Sequence, residues 1–490
     1  MPRRRYLACT VLCLFLCSCA TPGDRLSMTG AQGLPINIVN MLQAAGIPTD
    51  AVGALVIRLT DGATIVSHRP DSSLQPASTM KLVTTIVGLE RLGPTRRWHT
   101  ELRAHAPVED GVLQGDVFLR GGGDGDLTWE AFGRMLQSLR HQGIRDIRGD
   151  LVLDREMFRP PRTDLGVQSF DEEPDAEYNV IPDALLINTN LLRIELEADQ
   201  DSLRARATPE LQGVSLDLRM SLADRACKDW DDGWKVPGVV KAEDGSVRIQ
   251  LRGEFPRNCK ATARTNVLDR NEYVDRLFRG LWAGLGGTFH GTLREGMSPA
   301  DSRLLASHRS RTLADLLRDI NKPSDNTLAR LMYLTLGTLD SEDGATLGGA
   351  DRQIRAWFRQ QGIDDAGLVL ENGSGLSRTE RVRPSQLAAL LATEYRSNWA
   401  PEFLSSLPVV GLDGTMRLRL RDSPVSGRAR MKTGTLNNVV ALAGYVPDAR
   451  GRMHVVVAII NHRPSTGKLW PVGRPIIDAL ADWVGRSGNN

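Results

Sequence analysis

The chain has 490 residues, 41% of them hydrophobic and 24% charged, so it is long enough for two or three domains with buried cores. Its 61 basic and 59 acidic residues leave a formal net charge of +2, which argues against a nucleic-acid partner because no strong positive field is present. Only eight of the basic residues are lysines. A lysine in a chemical motif is therefore informative, since arginine cannot act as a base.

The first twenty residues have the pattern of a secretory signal peptide. Three arginines precede a short apolar run over residues 6–17, and a Thr-Pro-Gly break follows. The run is shorter than the roughly 18 to 20 apolar residues that span a membrane. Its end, Leu16-Cys17-Ser18-Cys19, resembles a bacterial lipobox and makes Cys19 a lipidation candidate, with plain cleavage after Cys19 or Ala20 as the alternative. We expect an exported, periplasmic protein that is tethered to a membrane if Cys19 is lipidated.

Two cysteines, Cys227 and Cys259, lie beyond this leader. An exported protein meets an oxidising compartment, in which such a pair tends to close. We therefore predict a disulfide between them. Two separate buried thiols are the alternative, because bridging depends on a distance that a sequence does not contain.

Strands and helices alternate at both ends of the chain. Residues 53–69 alternate apolar and polar side chains around Asp61-Gly62, which predicts a two-stranded hairpin. Residues 78–92 are apolar nearly all round and contain no proline, which predicts a helix buried inside a domain. Towards the end of the chain, residues 439–446 and 453–460 predict a second hairpin, and residues 469–484 predict an amphipathic helix.

The segment between these ends has short strand-like runs separated by turns, for example at residues 113–119, 150–154 and 246–252. From about residue 311 helical spacing returns, on both sides of a loop near Asn321. The simplest account is a discontinuous domain made from residues 21–92 and 301–490. It carries β-rich subdomains inserted at residues 93–300 and follows a signal peptide at residues 1–20.

Ser78-Thr79-Met80-Lys81 is an SxxK motif at the front of the predicted buried helix. Residues three apart share a helix face, so the Lys81 amine should lie beside the Ser78 hydroxyl. Burial disfavours the ammonium form and should lower the pKa of Lys81, so that its amine can accept the serine proton. The helix N-terminus would add free amide groups where an oxyanion forms. Alone the motif is weak evidence, because Ser465-Thr466-Gly467-Lys468 also matches it within a turn.

Two further motifs follow along the chain. Ser324-Asp325-Asn326 lies between two helical segments, and Lys432-Thr433-Gly434, followed by Thr435, precedes the C-terminal hairpin. The glycine leaves room for another backbone beside the strand, the lysine would attract a carboxylate, and the threonine hydroxyls could orient it. Each motif alone has a purely structural interpretation, as a turn serine or as an exposed strand lysine. Their combination with SxxK favours catalysis.

SxxK, SDN and KTG in this order resemble the serine penicillin-recognising enzymes. Ser324 lies 246 positions after Ser78, which is too long an interval for a β-lactamase. The interval is similar to that of the D-alanyl-D-alanine carboxypeptidase/endopeptidase family of low-molecular-mass, class C penicillin-binding proteins. Further segments similar to this family are residues 149–154, Tyr178-Asn179, residues 188–190, residues 373–378 and residues 412–415.

The resemblance implies an α/β (α+β), β-lactamase/transpeptidase-like domain that transfers the acyl group of peptidoglycan peptides without a metal or organic cofactor. Ser78 would attack the carbonyl between two D-alanines after Lys81 takes its proton. A β-lactam would follow the first step and stall as a covalent inhibitor. The resemblance assigns catalytic roles to Ser78, Lys81, Ser324, Asn326 and Lys432, and substrate binding to Thr433, Gly434 and Thr435.

Two residues depart from the family pattern. Asn372 stands where an aspartate is usual before Gly-Ser-Gly-Leu-Ser-Arg, and Arg330 stands where a glutamate is common. Both lie outside the three motifs, so they bear on substrate preference. Three alternatives are a β-lactamase, a transpeptidase and a catalytically silent cell-wall scaffold. No glutamate motif for fast deacylation is recognisable, and a scaffold has no chemical need for Lys81.

Overall fold

The computed structural model describes residues 33–340, 346–465 and 467–488. The predicted signal peptide and Cys19 lie outside the described residues. The helices are α1 Ile36–Ala44, α2 Lys81–Leu92, α3 Trp129–His141, α4 Arg270–Gly284, α5 Leu313–Asn321, α6 Asn326–Gly337, α7 Thr346–Gln360, α8 Pro384–Glu394, α9 Ala400–Ser406 and α10 Trp470–Arg486. None of these helices is both long and apolar enough to cross a membrane.

Within the residues described, the strands form five sheets. In chain order they are β1 Val52–Arg58, β2 Thr64–His68, β3 His99–Ala104, β4 Val108–Glu109, β5 Val112–Leu113, β6 Val117–Gly121, β7 Asp146–Ile147, β8 Leu151–Asp154, β9 Leu192–Ala198, β10 Leu203–Thr208, β11 Val214–Ala223, β12 Trp234–Lys241, β13 Val247–Pro256, β14 Lys260–Thr265, β15 Thr288–Phe289, β16 Leu293–Glu295, β17 Arg303–Arg309, β18 Arg430–Leu436, β19 Val439–Pro447 and β20 Met453–Asn461.

One antiparallel sheet combines strands from both ends of the chain, in the order β18-β19-β20-β1-β2. β1 runs beside β20, with Leu55 opposite Val457. The two predicted hairpins are confirmed as β1-β2 and β19-β20, and the predicted last helix is α10. The central strands are apolar without interruption because helices cover both faces of the sheet.

The two faces of this sheet contribute to separate cores. Successive strand residues point to opposite faces, so Leu55 and Ile57 pack with α2 and with α5 to α9. Ala54 and Val56 pack on the other side, with α1 and α10. The sheet is therefore the middle layer between two helical layers.

Helix α2 is buried from Lys81 to Leu89, as its apolar sequence predicts. It begins at Lys81 and not at Ser78, because the preceding residues form a tighter 3₁₀ turn, Ala77–Met80. A Cβ atom at Gly88 would lie 2.5 Å from the sulfur of Met332 in α6. The missing side chain lets α6 approach α2, which brings the SDN segment beside the SxxK turn.

The middle segment folds around a core of its own. Strands of the other four sheets share this core with α3 and α4, so the segment predicted as β-rich also contains helices. The run predicted at residues 113–119 is divided between β5 and β6. β17 pairs with β3, so this sheet continues to Arg309, past the predicted boundary at residue 300. Pairing between strands 200 residues apart leaves no local signal in the sequence.

Cys227 and Cys259 are joined by a disulfide, with their Cα atoms 5.3 Å apart. Cys227 opens a 3₁₀ turn, Cys227–Gly233, and Cys259 immediately precedes β14. The bridge therefore fastens an exposed turn to a strand of the middle segment.

Candidate active site

The SxxK turn places a serine hydroxyl beside a lysine amine. The Lys81 Nζ atom lies 3.0 Å from the Ser78 Oγ atom. The sequence places the two residues on one face of an α-helix, whereas Ser78 lies within the 3₁₀ turn and Lys81, which follows that turn, is the first residue of α2. Side chains three apart eclipse one another in that geometry, so the contact survives the change of helix type.

Lys81 is fully buried, and its amine also donates to Asn326 Oδ1 and to the Ser374 carbonyl, each at 2.6 Å. Burial lowers the pKa of Lys81 to about 7; Asp325 and Glu380 oppose this effect and Arg330 adds to it. A neutral amine has two protons and one lone pair. It can therefore donate to both oxygens and still accept the proton of Ser78.

Ser324 lies in the loop between α5 and α6 and contacts the lysine of KTG. Its φ of 70° is in the left-handed region, which is strained for a serine. The Ser324 Oγ atom accepts a hydrogen bond from Lys432 Nζ at 2.8 Å, and Lys432 also donates to the Thr433 carbonyl at 3.0 Å. Burial and the positive charge of Lys81 together lower the pKa of Lys432 well below its ordinary value. The pair is therefore suited to moving a proton through the serine hydroxyl.

Asn326 is the first residue of α6. Asp325 caps the helix by accepting the backbone N–H of Leu328 at 2.8 Å. The side chain of Asn326 donates to the carbonyl of Tyr178, in the middle segment, at 3.0 Å, while its oxygen accepts from Lys81. This bond uses one of the two N–H groups of the amide, and Asn326 lines the cavity described below. Among the described residues Tyr178 is the one acceptor for this amide nitrogen, so its second N–H can bind a ligand.

The KTG motif lies on β18, an edge strand of the sheet. A Cβ atom at Gly434 would lie 2.6 Å from the Pro76 carbonyl oxygen and 3.1 Å from the Ser78 amide nitrogen. Only a glycine lets the strand approach the SxxK turn this closely. The sequence predicted that the glycine leaves room for another backbone beside the strand. The backbone that occupies this room is that of the SxxK turn.

The two threonines of the KTG strand have different surroundings. Thr433 is buried and donates its hydroxyl to Thr415 Oγ1 at 2.8 Å. Thr435 lines the cavity, and its hydroxyl accepts from Arg474 Nη2 at 3.3 Å. Arg474, in α10, lies over the ring of Trp470 at 4.6 Å from its centroid. No sequence motif contains Arg474, which places a positive charge next to Thr435.

Residues of the SxxK and SDN motifs, together with Thr435 directly after KTG, line one cavity of about 770 Å³. One wall comes from the middle segment and is acidic. Phe170 and the carboxylates that follow it contribute to that wall, and no motif signalled them. The lining residues are Ser78, Phe170, Asp171, Glu172, Glu173, Tyr178, Ser324, Asn326, Gly375, Leu376, Arg378, Thr435, Leu436, Asn437, Lys468 and Trp470.

Glu380 positions the loop that contacts Lys81. It is fully buried, and its carboxylate accepts the backbone N–H groups of Asn372, Gly373 and Gly375 at 3.0, 2.7 and 2.8 Å. The Asn372 oxygen accepts from the N–H and the hydroxyl of Ser374 at 3.0 and 2.6 Å. Asparagine thus supplies the acceptor oxygen that an aspartate would supply. Glu380 was missed because it lies outside every motif.

Arg330, the second departure, fastens the cavity wall to α6. Its guanidinium donates to the carbonyls of Asn179 and Val180 at 3.4 and 3.0 Å and lies 5.2 Å from the ring centroid of Phe170. Burial lowers the pKa of Arg330 to about 10, so it stays charged at neutral pH. A glutamate could not donate these hydrogen bonds.

The arrangement is suited to nucleophilic acyl transfer. It combines a serine, a lysine base of lowered pKa and a second serine-lysine pair around one cavity. Within the described part of the chain, no group of three or more His, Cys, Asp or Glu side chains could bind a metal ion.

A model of the D-Ala-D-Ala carboxypeptidase 3 (S13) family matches residues 34–484. The chain belongs to this family. A D-alanyl-D-alanine carboxypeptidase of Actinomadura sp. (strain R39) is 30% identical over 454 residues, which cover 88% of this chain and 81% of the relative. The D-alanyl-D-alanine carboxypeptidase DacB of Haemophilus influenzae is 27% identical over 424 residues, which cover 85% of this chain and 86% of the relative.

Solved structures show the same fold. The crystal structure of penicillin binding protein 4 (dacB) from Haemophilus influenzae matches with a TM-score of 0.75 at 23% identity, over 92% of this chain and 100% of that chain. The predatory endopeptidase Bd3459 from Bdellovibrio bacteriovorus matches with a TM-score of 0.53 at 15% identity, over 89% and 94% of the two chains. The predicted penicillin-recognising α/β fold is confirmed. S13 membership confirms the predicted family and the serine-type D-Ala-D-Ala carboxypeptidase activity.

Proposed function

We propose that this S13 enzyme cleaves between the two D-alanines of peptidoglycan stem peptides through an acyl-enzyme on Ser78. The observation that carries the proposal is the 3.0 Å contact between Ser78 Oγ and the amine of Lys81, whose pKa is about 7. Lys81 takes the hydroxyl proton while the serine oxygen bonds to the carbonyl carbon of the penultimate D-alanine. The backbone amides of Ser78 and Thr435 stabilise the oxyanion.

The carbon–nitrogen bond then breaks. The proton that Lys81 took from Ser78 passes through Ser324, which is hydrogen-bonded to Lys432, to the departing amine, so Lys81 is neutral again before water enters. The second N–H of the Asn326 side chain binds a substrate amide. Water next attacks the ester, Lys81 accepts its proton, and the shortened peptide leaves with its new carboxyl group while Ser78 regains its hydroxyl proton. The same steps cut a D-alanyl crosslink when the departing amine belongs to a second peptide.

The terminal carboxylate of the substrate lies against the KTG strand. Gly434 and Thr435 present the strand edge, and Thr435 presents its hydroxyl, whereas the hydroxyl of the buried Thr433 donates to Thr415. Because burial lowers the pKa of Lys432, we assign the main positive charge to Arg474, which contacts Thr435.

β-Lactams acylate Ser78 in the same way. A second structure of the Haemophilus influenzae protein is a complex with a novel β-lactam, and it matches this chain with a TM-score of 0.72. The amine released from a β-lactam ring stays attached to the acyl group and shields it from water. The adduct therefore outlives the acyl-enzyme of a peptide.

Location is a separate proposal, which rests on residues 1–20. The leader directs export to the periplasm, and lipidation of Cys19 tethers the mature chain to a membrane. Cells that express the wild type and Cys19→Ala would be fractionated, and the mature N-terminus would be determined by mass spectrometry. Recovery of the wild type in the soluble periplasmic fraction, with an unmodified N-terminus, would exclude the tether.

The catalytic proposal is tested by intact mass after incubation with benzylpenicillin, followed by D-alanine release from a pentapeptide. We expect one adduct on the wild type, none on Ser78→Ala and strongly slowed formation on Lys81→Ala. Ser465→Ala is the matched control, because it alters the second SxxK match, in an exposed segment. An adduct that persists in Ser78→Ala would refute the nucleophile. Rapid benzylpenicillin hydrolysis without D-alanine release would identify a β-lactamase.

A further inference from the structure

A second cavity, of about 700 Å³, adjoins the catalytic one. Glu173 and Tyr178 line both cavities, so the two meet at these residues. On its far side the second cavity is lined by Trp230, Trp234 and Val236 of the middle segment. A ligand bound there would adjoin the cavity that Ser78 lines.

The two tryptophans form a rigid apolar wall. Their ring centroids are 5.9 Å apart in an edge-to-face arrangement, and Trp230 also lies 6.3 Å from Phe255. Trp230 belongs to the turn that the disulfide fastens to the strand segment at Cys259. Both indoles are only half-buried. A half-buried, fixed indole presents an apolar face next to a polar N–H group, as in many binding sites.

Five of the six charged residues that line the second cavity have partners within the protein, and the sixth, Asp231, is exposed. Glu177 pairs with Arg264 at 3.3 Å, Arg193 pairs with Glu195 at 2.9 Å, and Glu173 accepts from a tyrosine hydroxyl at 3.0 Å. A charged group of a ligand would have to compete with these partners. A neutral ligand with many hydroxyl groups and an apolar face would not, and sugar rings have this chemistry.

We propose that the second cavity binds the glycan of peptidoglycan, the chain of N-acetylated sugars that carries the stem peptides. The apolar faces of the sugar rings pack on Trp230 and Trp234 while the attached stem reaches Ser78. A stem of four residues extends roughly 14 Å, and the two cavities share Glu173 and Tyr178 in their walls. The inference rests on the proposed peptidase function, and it gives the middle segment and its disulfide a role in holding polymeric substrate.

The first test compares D-alanine release from a sugar-free pentapeptide with release from the same stem attached to polymeric glycan. We expect Trp230→Ala and Trp234→Ala to lower the ratio of polymer to pentapeptide kcat/KM about tenfold, the usual loss when an aromatic anchor is removed. Trp129→Ala is the matched control, since Trp129 packs on the same core and lines neither cavity. Equal ratios in all four proteins would overturn the inference.

The second test measures binding without turnover. The full Ser78→Ala chain would be titrated by calorimetry with a peptide-free oligosaccharide of the glycan, and the Trp230→Ala substitution would be added in a second sample. Saturable binding that the second substitution weakens is the expected result. Absence of saturable binding overturns the glycan site whatever the folding of the variants. Failure of the wild type to release D-alanine from the pentapeptide would instead refute the peptidase function.

Discussion

Removing the charge of Arg330 should move the pH profile of Ser78 acylation to higher pH. Burial is the main cause that lowers the pKa of Lys81 to about 7, and Arg330 lowers it as well, whereas Asp325 raises it. Arg330→Met deletes the positive charge, so the pKa of Lys81 rises and more alkaline solution is needed to free its amine. Asp325→Asn should shift the profile the opposite way, and asparagine can still cap α6.

The size of the effect follows from the pKa values. With a pKa of about 7, roughly half of the Lys81 amines are neutral at pH 7, against about one in 3,000 at the ordinary 10.5. At an effective dielectric of about 20, one unit charge roughly 10 Å away contributes on the order of 1.5 kcal/mol, or about one pKa unit. Arg330→Met should therefore move the midpoint from about 7 to about 8 and slow acylation at pH 7 roughly fivefold.

The assay is the second-order rate of benzylpenicillin adduct formation between pH 5 and 9.5, followed by intact mass. Arg330→Lys retains the charge and should keep the wild-type midpoint even if its plateau rate falls. Arg318→Met, an exposed change in α5, is the control for loss of an arginine elsewhere. Identical midpoints in the wild type, Arg330→Met and Asp325→Asn would refute the electrostatic reasoning. A wild-type midpoint above 9 would refute Lys81 as a base with a lowered pKa.

Three further predictions concern residues around the site and the core. Arg474→Met should lower kcat/KM about tenfold for a pentapeptide with a free carboxylate but change little for its C-terminal amide; equal losses would exclude a carboxylate contact. Gly434→Ala should slow acylation and destabilise the fold by about 1–3 kcal/mol, because its Cβ would lie 2.6 Å from a carbonyl oxygen. Gly133→Ala in α3 should do neither, because the nearest atom that its Cβ would meet outside its own stretch of helix is a Leu281 methyl carbon at 3.8 Å; thermal unfolding checks both. Burial raises the pKa of Glu394 to about 8 from 4.5, and neither carboxyl oxygen has a hydrogen-bond partner among the described residues. The stability that its protonated form provides is present below about pH 4.5 and is lost as pH rises through 8, by up to about 5 kcal/mol. Glu394→Gln should therefore gain in Tm over the wild type from pH 5 to pH 8, and a constant difference would contradict this.

Local sequence determined the elements that need only near neighbours. The two hairpins follow from alternation around short turns, and the buried helix follows from a run that is apolar on all sides. The contact between Ser78 and Lys81 was also predictable, because side chains three positions apart lie next to each other in both an α-helix and a 3₁₀ turn. The order of SxxK, SDN and KTG then indicated the family and its chemistry.

Only the tertiary structure decided which distant residues complete the active site and how far the sheets extend. Ser374 and Asn326 lie 293 and 245 positions from Lys81, and the buried Glu380, the guanidinium of Arg474 and the acidic cavity wall carry no motif. The sheet that runs on to Arg309 likewise depends on pairing between distant strands. The physical reason is the same in each case: local propensity sets the conformation of a segment, whereas contacts between distant segments depend on which faces pack together when the cores close.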